Sequence, residues 1–321
     1  MKAIQVRRRG AAGVLKIEDK KKPSLGPTDA LIEMHAIGVN YIDVYMRSGI
    51  VKVGLPFTPG IEGAGVVTEI GSGVNQVTVG DLVGYTGSVG SYAEQAVVKS
   101  SQLIPLPSGI TTEVAATCLS QGMTAHYLTH STFPISRGHT VLIHAGAGGV
   151  GLILIQMAKR LGAYVFTTVS SIDKAELATR AGADHCIIYT EDDFRGVIHK
   201  ETGGEGVDVV YDSVGKDTFD DSRRSLKRRG FLVLFGNSSG LVSPISPIIL
   251  REGSVFLTRP ALEDYTATRG ELLQRAGEVF KAVSLGHVKL DVFGRYPLEN
   301  ASDAHRDLES RKTSGKLLLI P

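Results

Sequence analysis

The stretch His144-Ala145-Gly146-Ala147-Gly148-Gly149-Val150-Gly151 constrains this chain more than any other. The short apolar run Thr140-Val141-Leu142-Ile143 precedes it and reads as a buried strand. Residues 152–161 follow as a long, largely apolar helix, with Gly162 where a C-terminal cap belongs. Gly146, Gly148 and Gly151 then form a GxGxxG pattern. Glycine serves three needs in such a pattern: a tight turn, close approach of backbone to a pyrophosphate, and close packing of helix on strand. Amide groups freed at the helix start face the phosphates. Glycine-rich turns are common, and a purely structural turn is the competing reading. The strand before and the helix after supply the context that a dinucleotide site requires.

A chain of 321 residues has room for two domains, each with its own core. A formal net charge of +2 gives no argument for a nucleic-acid or membrane partner. The clusters Arg7-Arg8-Arg9 and Lys20-Lys21-Lys22 read as solvated faces near strand ends. Cys118 and Cys186 lack metal-ligand spacing and read as buried thiols, which fits a reducing compartment. Met1-Lys2-Ala3-Ile4-Gln5-Val6 alternates like a strand and has no signal-peptide apolar region. No apolar run approaches membrane-spanning length, so a cytoplasmic protein is expected.

Residues 1 to about 120 carry short alternating runs broken by Gly and Pro, which predicts a mainly β domain shaped as a distorted barrel. His35 lies in one of these runs and reads as a satisfied interior histidine. Residues 113–119 and 122–128 are helix-like. Strand patterns at 141–143, 164–169, 186–189, 207–211, 231–235 and 254–257 then alternate with helix patterns at 151–161, 173–181, 194–202 and 218–226. Such alternation predicts a doubly wound parallel sheet with the dinucleotide in the crevice at its switch point. The run 254–257 reads as a sheet edge open to a second subunit. The tail offers a helix at 271–285, strand-like runs at 288–292 and 295–298, a helix at 299–310 and a terminal strand at 316–320. It is expected to rejoin the first domain, giving 1–122 plus 262–321 as one domain and 123–261 as the inserted dinucleotide-binding domain.

An NAD site usually places an acidic residue at the end of the second strand, on the ribose 2′-hydroxyl. Here that strand ends Thr167-Thr168-Val169-Ser170-Ser171, with no acid. Lys174 follows and suits a 2′-phosphate; its bland alternative is an exposed helix lysine. Ser170, three residues before Asp173, matches a capping box, so Asp173 reads as a helix-start residue. NADP(H) is therefore expected.

Several further motifs occur in order over the whole chain. They are residues 38–49 (GVNYIDVYMRSG), 59–67 (PGIEGAGVV), 144–151, 209–215 (VVYDSVG), 235–240 (FGNSSG), 257–260 (LTRP) and 309–318 (ESRKTSGKLL). With them the chain resembles the zinc-free medium-chain dehydrogenases/reductases, specifically the quinone oxidoreductases related to zeta-crystallin. The resemblance implies a GroES-like mainly β catalytic domain plus a Rossmann domain, NADPH, quinone reduction and a homodimer. It implies cofactor contacts from Thr124, Gly146, Ala147, Gly148, Gly149, Val150, Ser170, Lys174, Tyr189, Ser213, Asn237 and Arg311, with Tyr189 and Arg311 on the 2′-phosphate. Taken alone, Tyr189 reads as a strand aromatic and Arg311 as a surface charge.

Zinc alcohol dehydrogenases of the superfamily use a Cys and a His in the first-domain motifs. This chain has Asn40 and Ile61 at those places, and Thr117 at the third, with Cys118 one residue off. Neutral Asn and aliphatic Ile make no zinc site, so an acceptor that takes hydride readily is expected, such as a quinone or an activated double bond. Asn40 and Tyr45 are the candidate hydrogen-bond donors to a quinone oxygen, and by resemblance Arg259 lines the substrate mouth. By spacing alone these three read as a turn residue, a packing aromatic and an interface ion pair. Two other readings stay open. One is an NADPH-dependent alkenal or enoyl reductase on the same fold. The other is an NADPH-binding protein with a structural or RNA-binding role, against which the balanced charge and lack of an obvious basic stripe count.

Overall fold

The computed structural model describes residues 1–321. Strands β1 (Lys2–Gln5) and β2 (Lys16–Asp19) form an antiparallel pair. Strand β3 (Asp29–Val39) follows. Its alternation turns Met34 and Ala36 inward and leaves Glu33 and His35 exposed, so His35 is not the interior histidine expected from sequence. Helix α1 (Tyr41–Ser48) starts at Asn40, whose backbone N–H donates to Asp43 Oδ2 at 2.8 Å, and ends at Gly49 with φ 93°. Strands β4 (Glu62–Ile70), β5 (Leu82–Thr86), β6 (Gln95–Lys99) and β7 (Ile104–Pro105) complete the first run of β structure.

The two helix-like runs expected near residue 120 are one helix, α2 (Thr112–Tyr127), continued by a π-helical turn at Leu128–Thr132. The alternating region follows: β8 (Thr140–Ile143), α3 (Gly149–Arg160), β9 (Tyr164–Val169), α4 (Ile172–Ala181), β10 (His185–Ile188), α5 (Phe194–Glu201), β11 (Val207–Asp212), α6 (Phe219–Arg224), β12 (Leu226–Leu234) and β13 (Phe256–Thr258). The tail supplies α7 (Arg269–Ser284), β14 (Val292–Pro297), α8 (Ala301–Glu309) and β15 (Lys316–Ile320). Thr268 and Glu271 start α7 with a reciprocal capping box. The strand-like run expected at 288–292 does not form: only Val292 enters β14.

The chain divides into two compact units. The first comprises residues 1–123, 266–286 and 290–321, and the second 124–265 with 287–289. In the first, a seven-stranded sheet runs β14-β15-β3-β4-β5-β7, with β6 also paired to β3. The terminal strand β15 thus lies antiparallel on β3, Leu318 opposite Gly38. Ile4, Ile32, Ile37, Tyr85, Leu103 and Leu319 are among the residues of its core. The second unit has a six-stranded parallel sheet in the order β10-β9-β8-β11-β12-β13. The order reverses between β8 and β11, which is where such sheets open a crevice at their C-terminal strand ends. Leu142, Phe166, Ile187, Val210 and Leu232 pack with Ile198 and Phe219 from the covering helices. β13 is the edge strand, and Phe256 on it is exposed.

Candidate active site

The glycine turn sits at the C-terminal end of β8. Ala145 has φ 54°, and Gly146 N–H donates to Thr168 O at 3.0 Å, tying the turn to β9. A Cβ on Gly146 would run into Thr167 Oγ1, and one on Gly151 into the carbonyl of Ala145. Both glycines are therefore required by close approach of backbone, as the motif demands. Gly149 and Val150 open α3 with their surfaces partly accessible, so the helix start presents its amides outward.

Ser170 lies at the end of β9, and Tyr189 N–H donates to Val169 O at 3.1 Å, which places Tyr189 beside that strand end. The N-cap of α4 is Ser171, not Ser170: Ser171 Oγ accepts from Lys174 N at 3.4 Å. Ser170 therefore does not cap the helix and lies between the end of β9 and the cap. Lys174 is half-buried, and desolvation holds its ammonium below the usual lysine range. The sheet brings Ser213 and Asn237 together, since Ser238 N–H donates to Ser213 O at 3.1 Å and a Cβ on Gly236 would strike Ser213. With its amide oxygen turned to Arg259, Asn237 accepts from Arg259 Nη2 at 2.9 Å and donates to Gly236 O. Arg259 Nη1 donates to Leu234 O at 2.9 Å, so this arginine braces the end of β12. Thr124 is the first residue of the second unit, on α2. Arg311 belongs to the first unit, exposed and at φ 60° just after α8.

A buried polar chain underlies these loops. His144 Nδ1 is 2.9 Å from Thr168 Oγ1, and its Nε2 is 2.9 Å from Ser222 Oγ. Ser222 Oγ and Thr218 Oγ1 donate to Asp212 Oδ2, while Asp212 Oδ1 accepts from the N–H groups of Val214 and Gly215. Burial pushes the His144 pKa down, against the pull of Asp212. Asp212 therefore shapes the loop carrying Ser213, and His144 joins it to β9. Sequence reading missed this chain. Its one signal was a histidine and an aspartate each closing an apolar strand.

In the first unit a second buried cluster surrounds Asn40. Glu62, fully buried on β4, accepts from Lys316 Nζ at 2.6 Å, from Asn40 Nδ2 at 2.9 Å and from Ser120 N at 2.6 Å. Lys316 Nζ also donates to Asn40 Oδ1 at 2.9 Å. The Asn40 amide is fixed by this pair, because a flip would set its NH2 against the ammonium. Gly38 is needed here: a Cβ would collide with Glu62 Oε2 and crowd Lys316 Nζ. On α1, Asp43 Oδ2 lies 3.1 Å from Tyr92 Oη, itself 2.9 Å from His305 Nε2. Tyr45 lies on the same helix, half-buried, its ring 6.0 Å from that of Tyr41. Asn40 caps the helix that carries Tyr45; its amide turns to Glu62 and Lys316, and the Tyr45 ring lies against Tyr41.

The donors near Asn40 are a poor fit to zinc. Glu62 is neutralised by an ammonium already hydrogen-bonded to it, Ile61 offers no lone pair, and burial drives the Cys118 thiol far above its usual range, away from thiolate. No three His, Cys, Asp or Glu side chains gather to hold a metal.

Two family descriptions match the chain: an alcohol dehydrogenase GroES-like domain over residues 26–108 and a zinc-binding dehydrogenase domain over 149–270. The chain is 42% identical to quinone oxidoreductase 1 of Escherichia coli, across 99% of each chain. It is 39% identical to a 2-haloacrylate reductase of a Burkholderia species, across 99% of this chain and 98% of that one. The crystal structure of E. coli quinone oxidoreductase complexed with NADPH superposes with a TM-score of 0.98 at 40% identity, covering 100% of both chains. The two-domain plan is that of the medium-chain dehydrogenases/reductases. Within them, this chain belongs to the quinone oxidoreductase family.

Proposed function

We propose that this chain is an NADPH-dependent oxidoreductase that reduces small quinones without a metal. The observation that carries the reading is likeness over the whole length to quinone oxidoreductases, one of them solved with NADPH. Thr124, Ser170, Lys174, Tyr189, Ser213, Asn237 and Arg311, with the turn 146–150, would hold the cofactor. The absence of an acid at the end of β9 and the half-buried Lys174 beside it support a 2′-phosphate partner there. When bound, NADPH supplies the hydride. The protein orients the acceptor and excludes water.

Asn40 and Tyr45 take the acceptor oxygens, with Arg259 at the substrate mouth. One hydrogen of Asn40 Nδ2 is committed to Glu62, and the other reaches Gly38 O only at 3.4 Å, which leaves it available to a better acceptor. The Lys316–Glu62 pair holds that donor in place before substrate arrives, so no reorientation is needed as charge develops on oxygen. The Tyr45 hydroxyl donates the proton. Metal-free chemistry is supported by the neutralised Glu62 and by Ile61. The domain at 1–122 plus 262–321 holds the acceptor, and 123–261 the dinucleotide. The open edge of β13, with Phe256, Leu241 and Ile248 exposed, supports pairing into a homodimer. The two free cysteines fit a reducing, cytoplasmic setting.

A second reading, reduction of an electron-poor double bond, rests on the 2-haloacrylate reductase relative. Initial rates of NADPH oxidation with benzoquinone and with 2-chloroacrylate separate the two. Faster turnover of the quinone supports the first reading, and turnover of the acrylate alone overturns it.

A further inference from the structure

Arg223-Arg224-Ser225-Leu226-Lys227-Arg228-Arg229 crosses from α6 into β12, and beside it the fold opens a cavity of about 690 Å³. Five cations line it: Arg195 from α5, Arg223 and Arg224 from the end of α6, and Lys227 and Arg228 from β12. Only two carboxylates line it, Glu205 and Glu252. These residues precede or begin β11, β12 and β13, whereas the glycine turn, Ser213 and Asn237 follow the other ends of parallel strands. A strand of this length separates the two sites by roughly 20 Å.

The charges are only partly satisfied. Lys227 pairs with Asp208 at 3.2 Å, and Arg195 lies 3.7 Å from Asp221. Arg223 is 8% exposed; its Nη1 donates to Glu252 Oε2 at 2.9 Å and Ile249 O at 3.2 Å, while its buried Nε has no acceptor. Arg224 and Arg228 are exposed and sit in no ion pair. Arg223 first, then Arg224 and Arg195, hold the Glu252 carboxyl below its usual range, so guanidinium groups from two helices converge on it. Glu252 is itself largely solvent-exposed, on a kinked segment followed by Gly253 at φ 73° and Ser254 at φ 51°.

We propose that this cavity is a second anion site, taking a compact polyanion with two or more phosphate groups, and that Glu252 is the tethered carboxylate such a ligand displaces. With Lys227 paired to Asp208, Arg195 beside Asp221 and Arg223 on Glu252, the cations left without an ion pair are Arg224 and Arg228. A ligand with several phosphate oxygens reaches the guanidiniums that line the cavity together, through charge-assisted hydrogen bonds. Its removal from the glycine turn makes it independent of the cofactor and of the quinone reading.

The test is calorimetric titration of the full-length protein with inorganic tripolyphosphate at low salt. A saturable site is expected that weakens at least about tenfold in the double variant Arg224→Glu/Arg228→Glu and tightens several-fold in Glu252→Gln. Lys174→Ala, which alters the proposed 2′-phosphate site, should leave the affinity unchanged. Absence of saturable binding, indifference to the double charge reversal, or loss of binding in Lys174→Ala would overturn the proposal.

Discussion

Glu62 shows how much can hang on one side chain. A carboxylate with no exposed surface is held by one ammonium, one side-chain amide and one backbone N–H. Such a pair adds little net stability, but breaking it leaves a buried charge without compensation, at about 3–5 kcal/mol. Glu62→Gln strands the Lys316 ammonium, and its unfolding free energy should fall by that amount in denaturant titration; a loss below about 1 kcal/mol would mean that water reaches the site. Tyr45 is the residue assigned to give the proton. Tyr45→Phe should lower the maximal rate about tenfold or more with little change in the Michaelis constant for the quinone, and an unchanged rate would remove that role. In the sequence, Glu62 stood only within the motif at 59–67 and Lys316 at the start of the terminal strand. That they partner one another was not readable, since 254 residues separate them and only the β15–β3 pairing brings them together.

Among the elements, the glycine turn and the end of β9 are those to which the proposed dinucleotide preference is assigned. The turn was legible because its reason is local: Gly146 and Gly151 each stand where a Cβ would strike backbone or a neighbouring strand. The cap of α4 was misread by one residue, because Ser170 and Ser171 are both acceptable caps by type and only φ and ψ choose between them. The shift puts Lys174 at the third helical position with its N–H on Ser171 Oγ. Lys174→Ala should raise the Michaelis constant for NADPH about tenfold and leave that for NADH unchanged, as expected for a lost ammonium–phosphate contact; equal effects on both cofactors would place Lys174 elsewhere. The doubly wound parallel sheet, signalled by alternating strands and helices, was likewise legible, though its strand order came only with the structure. The run 288–292 was not, since alternation alone cannot tell a strand from an extended connection with no neighbour to pair with.

At the scale of the molecule, buried titratable groups give the two units different responses to acid. In the first, burial and Arg47 hold His305 down to about 3, while burial raises Asp43 to about 7. Between about pH 4 and 6.5 the unfolded chain binds a proton at His305 that the folded one refuses, and the folded chain keeps a proton at Asp43 that the unfolded one releases. These slopes oppose one another and nearly cancel. In the second unit burial depresses His144, against the pull of Asp212, so stability is lost as pH falls below the ordinary histidine range. Melting temperature should therefore fall from pH 6.5 to 5, and His144→Asn should flatten that fall; an unchanged slope would mean that His144 takes up a proton in place. The basic cavity also belongs to this scale. The basic residues at 223–229 went unread in the sequence, and their convergence with Arg195 on Glu252 arises only from packing α5 and α6 beside β12. The central claim is that the chain passes hydride from NADPH to a quinone with its own residues and no metal. It is tested most directly by following loss of reduced-nicotinamide absorbance with benzoquinone after exhaustive chelation, with NADPH and NADH side by side. Rapid oxidation of NADPH, slow oxidation of NADH and no effect of chelation are predicted. Activity that disappears with chelation and returns with zinc, or an equal rate with NADH, would contradict the account.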